Sequence, residues 1–96
     1  MVQVVETRED VDQGECIEFR VYRSPRDPAR ILGSWQFGHM EPVGPNGAIA
    51  IDGNPLGSSV DTEFVRVVQC ADRQGVAFVL VVDKDGLFPP SKRPSL

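Results

Sequence analysis

The stretch Val60-Asp61-Thr62-Glu63-Phe64-Val65-Arg66-Val67-Val68-Gln69-Cys70-Ala71-Asp72-Arg73-Gln74, closed by Gly75, decides the fold. Its four valines favour strand by propensity, whereas its spacing favours helix. At about 100° per residue, Val60, Phe64, Val67, Val68 and Ala71 share one arc, and Thr62, Arg66, Gln69 and Arg73 cluster opposite. Val65 lies outside that arc, and a period-two reading leaves both faces mixed. Spacing therefore predicts a helix over 60–74. The ends agree: Ser59 is placed to cap, Asp61 and Glu63 lie in the first turn, Arg73 lies in the last, and Gly75 suits the left-handed closing position. The rival is a hairpin turning at Asp72-Arg73-Gln74-Gly75, which would pair 63–71 with 76–82 and make the chain all-β.

Downstream, Val76 to Val82 is uninterrupted by polar residues, as expected of a strand covered on both faces, and Asp83-Lys84-Asp85-Gly86 ends it with a turn. Upstream, Ala48-Ile49-Ala50-Ile51 belongs to a strand near 47–52, followed by the loop Asp52-Gly53-Asn54-Pro55-Leu56-Gly57-Ser58-Ser59. With a helix between them, the two strands are expected to form a right-handed parallel crossover.

The first half reads as two hairpins. Ile17, Phe19 and Val21 alternate with Glu18, Arg20 and Tyr22 in a strand over 16–23. Val2, Val4 and Val5 predict a strand near 2–6, joined to it through a turn at Asp12-Gln13-Gly14. Asp27 and Pro28 suit the start of a single helical turn running through Leu32 to Gly33. A strand near 34–41, with Trp35 and Phe37 toward the core, turns through Gly44-Pro45-Asn46-Gly47 into the strand near 47–52. The expected fold class is α+β: two hairpins, then a β-loop-α-β unit, with 1–88 as one domain and 89–96 as a flexible tail.

Composition narrows function by exclusion. Charged residues make up 25% of the 96, and the net charge of −4 argues against general affinity for nucleic acid or anionic lipid. Arg20, Arg23, Arg26 and Arg30 lie close together but are interrupted by Asp27. The longest apolar run, Val76 to Val82, is far short of the roughly twenty residues a membrane helix needs, and the first residues lack a signal-peptide pattern. No membrane partner and a cytoplasmic location are expected. Cys16 and Cys70, with neither CxxC spacing nor a secretory context, read as reduced thiols, a single bridge being the alternative.

Few residues offer chemistry. The loop Gly53, Asn54, Gly57, Ser58, Ser59 before the helix is a candidate anion or nucleotide site, since glycines let an anion approach free helix-start amides. Asp52, Asp83 and Asp85 would lie at one sheet edge if their strands were neighbours, and could then hold magnesium. Asp83-Lys84-Asp85-Gly86-Leu87, after its apolar strand, resembles the first motif of the haloacid dehalogenase-like phosphatases. Leu87 stands where that family has threonine, and only ten residues follow Gly86, so membership is not assigned. His39 reads as a polar residue at a strand end, and Cys70 sits at the polar edge of the helical wheel. No catalytic residue and no cofactor are assigned. An exposed aromatic beside arginines suits an interface, so Arg20, Tyr22 and Arg23 are the candidate interaction surface of a small non-catalytic domain, its partner another protein or a second copy.

Overall fold

The structure is a computed structural model that describes residues 2–11, 14–41 and 48–95. The elements in chain order are β1 (Gln3–Val5), β2 (Cys16–Arg23), β3 (Ile31–Glu41), β4 (Ala48–Ser59), α1 (Val60–Gln74) and β5 (Phe78–Val82), with 3-10 turns at Arg8–Asp10 and Pro90–Lys92. The strands form one mixed sheet in the order β1-β5-β2-β3-β4, and α1 packs on one of its faces, so the fold is α+β.

The helix has the expected bounds, but its buried face is rotated. Val60, Phe64, Val67 and Ala71 are buried as read, and Glu63 and Cys70 join them while Val68 is only partly covered. The rotation arises because Glu63, counted as polar, is a core residue whose carboxylate is satisfied internally. Ser59 makes no side-chain cap. At the other end Gly75 takes φ 71°, and the amides of Gly75 and Val76 donate to the carbonyls of Asp72 and Ala71, a Schellman closure.

β5 explains the largest departure from expectation. Val79, Leu80 and Val81 are all buried, so this strand needs neighbours on both sides and cover on both faces. It inserts between β1 and β2, parallel to each, which replaces the expected hairpin of those two strands. From the connection between them, Arg8 reaches Glu18 and Cys16 on the helix-free face. The residues of the expected turn at Asp12-Gln13 lie outside the described ones, as do those of Gly44–Gly47. The β3–β4 hairpin is present, running antiparallel from Leu32↔Ser59 to Glu41↔Ala48.

No helical turn forms at Pro28. Asp27 accepts from the Ala29 amide through its carboxylate and from Arg30 through its carbonyl, so the segment is a tight turn between β2 and a β3 that starts at Ile31. β4 and β5 are parallel but have β2 and β3 between them, roughly 14 Å at ordinary strand spacing.

Under α1, Phe19, Phe64 and Phe88 pack with ring centroids 5.8, 5.4 and 6.3 Å apart. A β-carbon at Gly33 would overlap the Phe19 ring, so the bare backbone there admits that ring. Phe88 is placed by Asp83, whose carboxylate accepts the amides of Leu87 and Phe88 at 2.9 and 2.8 Å. In the segment after Phe88, Arg93 donates to the Phe88 carbonyl, pairs with Glu6 and lies over the Phe64 and Phe88 rings. Among the described residues no helix is long and apolar enough to cross a membrane.

Candidate functional site

The sheet does not stay closed. β2 pairs with β3 from Arg23↔Ile31 to Arg20↔Ser34, and the ladder stops there, although β2 extends back to Cys16 and β3 on to Glu41. At the same level the β3–β4 register shifts: Gly33 faces Ser58 while Trp35 faces Asn54, so two steps on β3 oppose four on β4. Extra residues in one strand bend it and sharpen the local twist. The bulge at Pro55-Leu56-Gly57 thus coincides with the point where β3 leaves β2.

Between the separated strands the helix-free face carries a cleft of about 600 Å³, lined in part by Arg8, Cys16, Glu18, Arg20, Gln36 and Pro55. Glu18 organises it. One carboxylate oxygen accepts from Arg8 and the other from Arg20 at 3.1 Å, and both arginine side chains stay 68% exposed. Each guanidinium has five N–H donors and spends few on Glu18. Among the described residues the lining therefore has two positive charges and one negative one, on a chain whose net charge is −4.

The three residues expected to form one interaction surface separate by strand alternation. Arg20 and Tyr22 share the helix-free face, but Arg23 falls on the other parity and donates to the Pro28 carbonyl at 2.9 Å, bracing the β2–β3 turn. Tyr22 is half-buried: its hydroxyl donates to the Leu56 carbonyl at 2.8 Å and abuts Gly57, where a β-carbon would overlap it. It holds the bulge in place.

The expected glycine-rich loop is a bulged edge strand. Gly53 (φ 123°) sits where a β-carbon would overlap the Trp35 carbonyl, and Gly57 takes φ 81°. The Gly57 amide donates to the Asn54 side chain at 3.1 Å, and the Ser58 hydroxyl donates to Glu63 at 2.7 Å. Ser59 is exposed and pairs with Leu32 in the ladder.

Nor do the three aspartates converge. Asp52 lies in β4 near Arg73 (3.8 Å) and Cys70, Asp83 is spent on its own turn, and Asp85 is exposed in that turn. Among the described residues no group of three His, Cys, Asp or Glu side chains is arranged to hold a metal. The strands carrying Asp52 and Asp83 are not neighbours, which removes the geometric premise of that site.

Sequence reasoning missed Glu63, 1% exposed and held by the Trp35 indole at 3.0 Å, the Ser58 hydroxyl, and Arg66. Burial pushes its carboxyl up, but the hydrogen bonds from Ser58 and Trp35 and the Arg66 charge outweigh that and hold it below the ordinary value. The available signal was its place on the wheel, flanking Val67 and Cys70. Cys70 is buried rather than partly exposed, and burial with the Asp52 charge pushes its thiol up despite Arg73. Both cysteines are free, and Cys16 borders the cleft. Comparison with protein-family models, with curated proteins and with solved structures finds no match to this chain.

Proposed function

We propose that this chain is a non-catalytic protein-interaction domain that binds a partner through the helix-free sheet face, at the cleft beside Arg20. The observation that carries the reading is the parting of β2 from β3 at Arg20↔Ser34, which opens a charged cleft in an otherwise continuous sheet. Arg20 contributes a largely exposed cation, while Tyr22 contributes indirectly by fixing the bulge that walls the cleft at Pro55. Two features favour binding over catalysis. The buried carboxylate of Glu63 is saturated by donors, and the Cys70 thiol is pushed away from its reactive form. Two free thiols suit a reducing compartment, and the cytoplasm is the proposed setting.

The alternative, an anion site at Gly53–Ser59, has less support. The Gly57 amide and Ser58 hydroxyl already have partners, and a carboxylate, Glu63, occupies the start of the helix that an anion would seek.

A photo-crosslinking residue at Gln36, beside the cleft, compared with one at Gln69 on the exposed side of α1, tests the proposal in the host cell. Adducts to another protein are expected at position 36 and should disappear on Arg20→Ala. An adduct of twice the chain mass would identify a second copy as the partner. Equal adducts at both positions, or indifference to Arg20, would overturn the reading.

A further inference from the structure

Resting on that reading of the cleft, we infer that its occupant is an extended, carboxylate-bearing peptide segment that lies along the open edge of β2. Three observations converge. Cys16–Phe19 pair with β5 on one side, but their β3-facing edge has no strand partner among the described residues. An unpaired edge of backbone N–H and C=O groups is a template for one more strand. The flanking charge selects which strand: Glu18 accepts from Arg8 and Arg20 with different oxygens and so fixes two guanidiniums at the cleft, each with donors left over.

A carboxylate from the partner can take those donors in a forked pair, the geometry guanidinium favours. Exposed ion pairs of the Arg8–Glu18–Arg20 kind contribute little to stability, so rearranging them for a ligand costs little. Charge also discriminates against competitors. Among the described residues the cleft lining is net positive on a chain of net charge −4, so an acidic segment is drawn to this face and repelled elsewhere. Backbone pairing then distinguishes an extended peptide from a free anion, which would satisfy only the arginines.

Fluorescence anisotropy with a labelled peptide of alternating glutamate and valine tests the assignment on the whole chain. Binding is expected, with the amides of Cys16–Phe19 and Gln36 showing the main chemical-shift changes. Combined Arg8→Ala and Arg20→Ala should weaken it about tenfold or more. Glu18→Gln, which removes the only carboxylate among the described lining residues while its amide oxygen can still accept from a guanidinium at the cleft, should tighten it severalfold; because the effect runs in the opposite direction, a loss of folding cannot mimic it.

Methylating alternate backbone amides of the peptide should abolish binding. No binding at millimolar peptide, equal binding of a lysine-valine peptide, or full retention by the methylated peptide would overturn the inference, as would equal competition by free glutamate or inorganic phosphate. Arg20-dependent crosslinks at position 36 without peptide binding would remove this inference alone, whereas loss of both would remove the interaction reading as well.

Discussion

The indole Nε1 of Trp35 donates to Glu63 Oε1 across 3.0 Å, joining the middle of β3 to the first turn of α1 inside the core. The other carboxylate oxygen takes the Ser58 hydroxyl, so one buried side chain ties β3, β4 and the helix together. Arg66, half exposed, supplies the compensating charge from one turn along. Glu63→Ala would leave the indole N–H and the serine hydroxyl unpaired and open a cavity. Its expected cost is about 3 kcal/mol, read from urea unfolding. Trp35→Phe keeps most of the packing but strands one carboxylate lone pair, and is expected to cost about 2 kcal/mol.

The same carboxylate gives stability a pH dependence of known sign. Its folded pKa is lowered from 4.5, so the unfolded chain binds the proton more readily. Stability from this group is therefore full above the ordinary glutamate range and is lost as pH falls through the lowered folded value. Unfolding free energies of wild type and Glu63→Gln, measured from pH 7 down to pH 2, should converge at the acid end. A constant difference across that range would refute the assignment.

How far such a residue can be read from sequence depends on what physical signal it leaves. The helix bounds were legible because spacing, end charges and Gly75 are local signals. Glu63 was not, since a buried carboxylate is recognised by Trp35 and Ser58, donors that lie 28 and 5 residues away in the chain. Strand existence was legible at Cys16–Arg23 from alternation, but pairing was not: the apolar run at Phe78–Val82 implied a central strand without saying which two would flank it. The cleft was half legible. Arg20 stood out by composition, while Arg8 comes from the β1–β2 connection, whose place depends on that same β5 insertion, and Gln36 comes from β3, whose pairing with β2 is a long-range contact.

Tyr22 and Gly57 make a second testable pair. The hydroxyl sits where a Gly57 β-carbon would lie, and Gly57 has φ 81°, so Gly57→Ala faces both overlap and backbone strain. A loss of about 2 kcal/mol is expected. Tyr22→Phe should cost about 1 kcal/mol through the hydrogen bond to Leu56 and should also relieve part of the Gly57→Ala penalty. A double-mutant cycle measures the coupling, and strict additivity would show that the two do not meet.

The two thiols should separate cleanly in reactivity. Cys16 is half-buried and lines the cleft, whereas Cys70, on the inner face of α1, is fully covered and its pKa is raised by burial and by Asp52. Only the thiolate attacks a disulfide reagent, so both access and ionisation slow Cys70. Titration of the native protein with an aromatic disulfide should release one equivalent quickly from Cys16, and the second at the rate of opening of the fold. The fast phase should slow when the acidic peptide occupies the cleft, while the slow phase should accelerate in Glu63→Ala, because that substitution loosens the packing on the sheet of the helix that carries Cys70. Two equal fast phases would mean that the face of α1 carrying Cys70 does not pack on the sheet, and would place the error in the packing of the helix rather than in the chemistry of the thiol.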